Sequence, residues 1–129
     1  MTRLLRALLA PLTLALGLPV AILAAPAVAL AGDPCYHDFA MPARTVSTSP
    51  AVTALDCAFA PTVTRVPVGT TVTWTNRDDV PHTVTSSTKV FKSPPLDTGE
   101  TFTYTFKQAG TFEYYCALHP HMTGKVVVK

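Results

Sequence analysis

After Arg6 the chain runs uncharged and mostly apolar as far as Leu30, interrupted by Pro11, Pro19 and Pro26. Arg3 and Arg6 stand before this run, and Ala29-Leu30-Ala31 ends it with small residues at the positions a signal peptidase accepts. The pattern predicts a secretory signal peptide over residues 1–31, removed after Ala31. The run is also long enough to span a bilayer. Its prolines make retention as a membrane anchor the less favoured reading. The segment from Gly32 to Lys129 is long enough for one modest core.

The texture then changes twice. Met41 to Asp56 is rich in Pro, Ser, Thr and Ala, so residues 32–56 are expected to form an N-terminal arm or irregular segment. From Cys57 onward the pattern is that of strands. Thr62 to Val66 is β-branched apart from Arg65, and Thr71 to Thr75 alternates, placing Val72 and Trp74 on one face. Asn76-Arg77-Asp78-Asp79 is a turn cluster. Pro81 to Thr85 reads as a short extended segment. Ser86 to Glu100, with Pro94, Pro95 and Gly99, reads mostly as loop. Thr101 to Phe106 alternates again, with Phe102, Tyr104 and Phe106 on one face. Gly110 precedes a strand from Thr111 to Cys116, and Gly124 precedes a last strand from Lys125 to Lys129. No segment after Gly32 has a helical period. Short strands punctuated by Gly and Pro predict an all-β, antiparallel β-sandwich with its core domain over residues 57–129.

Charge removes one class of partner. The chain has 10 basic and 8 acidic residues, and Arg3 and Arg6 belong to the leader. The remainder is close to neutral with no basic stripe, which argues against nucleic acid as a partner.

Cysteine changes the picture more. There are 3, an odd number for an exported chain, so two can pair and one is left for chemistry. Tyr115-Cys116-Ala117-Leu118-His119-Pro120-His121-Met122 packs a thiol, two imidazoles and a thioether into one strand end. That donor mixture suits copper cycling between Cu(I) and Cu(II), and two His with one Cys and a weak axial Met is the pattern of electron-transfer copper sites. Cys116, His119 and Met122 come from this loop, so a second His must come from elsewhere. His82, after a turn and at the start of an extended segment, is a better candidate than His37. Zinc would need Cys35 or Cys57 to reach Cys116, and a thioether is a poor zinc ligand.

On these residues the sequence resembles the cupredoxins, and among them the amicyanin-like members of the plastocyanin family. The resemblance covers roughly Cys57 to Lys129. It rests on Phe59-Ala60-Pro61, Val68 to Asn76, Pro81-His82, Asp97-Thr98-Gly99-Glu100 and, most specifically, the spacing Cys116-x₂-His119-x₂-Met122. It implies a Greek-key sandwich with one copper ion near one end. His82, Cys116 and His119 would form the trigonal plane, and Met122 would sit axially. It further implies an imidazole edge of His119 at the surface as the electron port, ringed by apolar residues. The partners implied are redox proteins such as a c-type cytochrome or a dehydrogenase, bound transiently by a monomer.

Three positions depart from the family. Thr83 stands where Asn is frequent, and is expected to give its N–H to the thiolate and to pin the loop with its hydroxyl. Leu118 stands where Pro is frequent, so its N–H is available to the sulfur. His121 replaces an apolar residue and is expected to be an exposed loop side chain, or a pH-sensitive charge near the port.

Cys35 and Cys57 remain for a disulfide that ties the arm to the first strand. The alternative is a second metal site from Cys35, His37 and Cys57. Electron carriage competes with copper capture or delivery. An oxidase or nitrite reductase domain would need further copper centres built from many histidines, and the chain has 4.

Overall fold

Alternation of threonine with valine and aromatic residues produces strands throughout the second half of the chain. The computed structural model describes Gly32, residues 34–36 and residues 43–129. The expected leader over residues 1–31 and His37 lie outside the described residues. A 3₁₀ turn, Pro34–Tyr36, comes first. Nine strands follow among the described residues: β1 Val46–Ser47, β2 Ala51–Leu55, β3 Ala58–Ala60, β4 Val63–Val66, β5 Thr71–Asn76, β6 Thr85–Ser86, β7 Thr101–Thr105, β8 Gly110–Tyr115 and β9 Thr123–Val128.

They form two sheets, ordered β1-β4-β9-β8-β6 and β3-β2-β5-β7. The two-sheet all-β sandwich is therefore as expected, but its pairing is mixed. The β1–β4, β4–β9 and β2–β5 pairs are parallel. These neighbours are not joined by hairpins, so nothing forces them to run in opposite directions.

The expected irregular segment is corrected by β1 and β2. Val52 and Ala54 are buried core residues, and β2 pairs with β3 on one side and β5 on the other. Ala51 to Leu55 does alternate, but alanine is a weak strand former and Pro50 and Ser49 flank it. Two partner strands, not local propensity, make it a strand.

Between the sheets lies an aromatic core centred on Trp74. Its ring lies 5.7 Å from Phe91, 5.8 Å from Phe102, 6.4 Å from Phe106 and 5.5 Å from Tyr114. The alternating face of Thr101 to Phe106 thus packs inward as its period predicted. Tyr114 also meets Phe59 edge-on at 5.0 Å.

Gly124 is part of β9 rather than a break before it, and it lies opposite Tyr114. A Cβ at this position would run into the phenol ring. The absence of a side chain is what allows Tyr114 to lie across the neighbouring strand. Gly124→Ala is expected to destabilise the fold by about 1–3 kcal/mol, the usual cost of overpacking. Urea unfolding measures this, and an unchanged midpoint would mean that the ring moves aside without cost.

Candidate metal centre

The site is built at one end of the sandwich, where β8 ends and where the turn after β5 delivers His82. Cys116 follows the last residue of β8. The Cys116 N–H donates to the Met122 carbonyl at 3.0 Å, and the Met122 N–H donates to the His119 carbonyl at 2.9 Å. These two bonds close the loop from Cys116 to Met122 into a tight hairpin end.

His82 is placed by backbone and by a buried amide. Its N–H donates to the Leu96 carbonyl at 3.1 Å, and its carbonyl accepts from the Leu96 N–H at 2.7 Å. Before it, Asn76 is buried. The Asn76 Nδ2 donates to the Val80 and Leu96 carbonyls, each at 2.8 Å, while Oδ1 accepts the Asp78 N–H at 2.9 Å. One side chain thus fixes the whole turn leading to His82.

Three predicted donor atoms converge. His82 Nδ1 and His119 Nδ1 are 3.0 Å apart, and Cys116 Sγ lies 3.7 Å from the first and 3.6 Å from the second. Cys116, His82, His119 and Met122 are all buried, none more than 2% exposed. Met122 belongs to the hydrophobic core cluster together with Cys116. A thiolate, two facing imidazole nitrogens and a neighbouring thioether, all withdrawn from water, fit a copper ion.

The ring orientation of His82 follows from its other nitrogen. Nε2 lies 2.7 Å from Asp78 Oδ2. A carboxylate only accepts, so Nε2 carries the hydrogen and the neutral ring keeps its lone pair on Nδ1, toward the sulfur. Burial alone would lower the His82 pKa. Its hydrogen bonds and charge interactions with Cys116 and Asp78 outweigh burial and hold it above the ordinary histidine value.

Cys116 is tuned in the opposite direction. Burial would raise its pKa, but His82, the Thr83 N–H and the N–H groups of His119 and Leu118 bring it down to about 6. The Thr83 N–H donates to Sγ at 3.3 Å, and the Thr83 hydroxyl accepts the Ala117 N–H at 2.7 Å. Both expected roles of Thr83 are present, the second pinning the ligand loop to the His82 segment. Leu118 also acts on the sulfur through its N–H, as its replacement of Pro suggested.

Asp78 was not singled out in the sequence, where it reads as one of two turn aspartates. Besides holding His82, its carboxylate accepts the N–H groups of Asp56 at 2.7 Å and Cys57 at 3.0 Å. These two residues form the β2–β3 turn, with φ of 51° and 55°, a left-handed conformation that side chains disfavour. The only advance signal was position, four residues before His82.

Cys35 and Cys57 are joined in the expected disulfide, so they do not form the alternative second metal site with His37. One expectation is corrected: the imidazole edge of His119 does not reach the surface, the residue being only 2% exposed. Cys35 Sγ lies within 4.8 Å of a ring nitrogen of both His82 and His119, so the disulfide is packed against the ligand pair. Leu118, on the same loop, is 43% exposed. His121 is half-buried, its ring 6.3 Å from that of His119.

Comparison with known proteins gives a consistent grouping. The cupredoxin-like domain profile matches residues 22–128. The amicyanin of Paracoccus denitrificans is 44% identical over 70 residues, covering 50% of this chain and 53% of that protein. The chain spans about half the length of the curated relatives it matches. Among solved structures, an oxidised amicyanin variant superposes with a TM-score of 0.60 at 36% identity, covering 64% of this chain and 83% of the other. A copper-containing nitrite reductase from Thermus scotoductus superposes with a TM-score of 0.58 at 30% identity, over 61% of this chain but 22% of the enzyme.

Asp78→Asn is expected to weaken copper binding by about 10- to 100-fold, the usual effect of losing a partner that orients a ligand. An amide cannot accept from all three donors at once. Competition titration against a chelator reads the affinity, with circular dichroism confirming that the sheet content is kept. Unchanged affinity would show that backbone pairing with Leu96 alone positions His82.

Proposed function

Because the chain belongs to the cupredoxin-like domain family, we propose that it is a one-electron carrier built on a type 1 copper site that His82, Cys116, His119 and Met122 would hold. The observation that carries this reading is the convergence of two Nδ1 atoms and one thiolate-prone sulfur within 3.0–3.7 Å in a buried pocket. Bound copper would supply the change between Cu(I) and Cu(II).

The residues of the chain supply the rest. Thr83 and Leu118 N–H groups stabilise charge on Cys116, Asp78 fixes the His82 tautomer, and the Cys116–Met122 backbone bonds limit movement of the loop. A site held this way changes little between oxidation states, which favours fast electron exchange over ligand rearrangement. Burial of all four side chains speaks for metal retention, whereas capture or delivery favours ligands open to exchange. The partners in this reading are exported redox proteins, such as a c-type cytochrome or a dehydrogenase, met briefly by a monomer in the periplasm or another exported setting. Catalysis by this chain alone is not part of the reading, since two of its 4 histidines are assigned to a single copper site.

Adding one equivalent of Cu(II) to the purified protein is expected to give an intense blue colour and narrow copper hyperfine splitting by EPR. A pale, ordinary cupric spectrum would mean that Cys116 is not a ligand. Retention of copper on reduction, against a Cu(I) chelator, separates carriage from delivery.

Leu118→Pro removes an N–H that helps hold the Cys116 pKa down. That N–H draws thiolate density away from Cu(II) and so favours Cu(I). The reduction potential is therefore expected to fall, by on the order of tens of millivolts, as a net hydrogen bond of about 1 kcal/mol implies. Voltammetry measures it, and an unchanged or higher value would remove Leu118 from the tuning of the site.

A further inference from the structure

Four of the residues at this end of the sandwich carry donors that zinc prefers. Cys116 Sγ lies 3.6–3.7 Å from the two Nδ1 atoms. Cys35 Sγ lies within 4.8 Å of a nitrogen of each of the same two rings. Cys35 is buried at 4% exposure, and its sulfur is occupied by the bond to Cys57. The disulfide therefore sets two different donor lists. With the bond intact, the site offers one thiolate, two imidazoles and the Met122 thioether. With the bond open, it offers two thiolates and two imidazoles.

We propose that the Cys35–Cys57 disulfide withholds a second thiolate from the metal centre, and that the dithiol form is a Cys₂His₂ site for zinc made of Cys35, Cys116, His82 and His119. The proposal rests on the reading of Cys116, His82 and His119 as ligands. In a tetrahedral zinc site, with metal–sulfur near 2.3 Å and metal–nitrogen near 2.0–2.1 Å, donors sit roughly 3.5–4 Å apart. Cys35 Sγ, within 4.8 Å of a nitrogen of each ring, approaches that spacing by side-chain rotation once Cys57 no longer holds it. Opening the bond takes two electrons and two protons from a dithiol, which closes to its own disulfide. Cys35 and Cys57 become thiols, and Cys35 gives up its proton on binding zinc. Copper selectivity thus depends on pairing two cysteines, one of which abuts the ligands.

The turn at Cys57 favours this arrangement. The Cys57 N–H donates to the same Asp78 oxygen that holds His82 Nε2. The β2–β3 turn therefore stays anchored beside the site through hydrogen bonds that do not involve the disulfide.

Cobalt(II) is the probe, because the near-ultraviolet thiolate-to-cobalt band grows with the number of thiolates bound. Cys57→Ser leaves the Cys35 thiol, and Cys35→Ser leaves the Cys57 thiol; both lack the disulfide equally. The oxidised wild-type protein and Cys35→Ser are expected to give a single-thiolate band. Cys57→Ser, and the wild type treated with a phosphine reductant, are expected to give roughly twice that intensity. Zinc should be held on the order of tenfold more tightly, or better, by Cys57→Ser than by Cys35→Ser, as expected for an added thiolate ligand. Equal bands and equal zinc affinities in the two variants would overturn the proposal, whether both matched the wild type or both rose. Failure of the underlying ligand reading looks different: the oxidised wild type would then show no thiolate band at all.

Discussion

The Asp78 carboxylate holds this end of the protein together. It is 9% exposed and accepts from His82 Nε2, Asp56 N–H and Cys57 N–H. Removing any of these donors would leave a buried charge short of partners, which costs far more than an ordinary surface contact contributes. The arrangement ties a ligand ring to the β2–β3 turn, and the turn carries the cysteine that fastens the N-terminal segment. Ligand orientation, turn conformation and disulfide placement are therefore parts of one network.

The sandwich supplies the rigid frame on which that network acts. Trp74 sits among four aromatic rings between the sheets, and Tyr114 occupies the space that Gly124 leaves open. Tyr114 lies on β8 two residues before Cys116, so packing of the core fixes the strand from which the thiolate is presented. The loop beyond it needs only the two backbone bonds between Cys116, His119 and Met122 to bring its donors together. Dense packing on the core side limits how far these side chains can shift.

The outer side of the site differs from what family resemblance suggests. Cys35 packs against both imidazoles, and His119 is closed off from solvent. The segment that reads as a loose arm thus contributes a strand to the centre of one sheet through β2 and a sulfur to the neighbourhood of the ligands.

The sequence by itself made the candidate donor set and most of the strands legible. Cys116, His119 and Met122 are close in the chain, so their spacing is local and legible, and the alternating threonine and aromatic runs declare their inward faces through a period of two. Pairing of Cys35 with Cys57 was legible as arithmetic from the cysteine count, but the place of that bond was not. Only the tertiary structure decided that Ala51 to Leu55 is an interior strand, because two neighbours from elsewhere in the chain supply its hydrogen bonds. It also decided that Asp78 is the buried partner of His82, since a turn aspartate becomes an acceptor for three donors only when the β2–β3 turn is folded onto it. The burial of His119 belongs to the same class. Contacts between segments far apart in sequence depend on how the sheets stack and cross, and no local spacing encodes them.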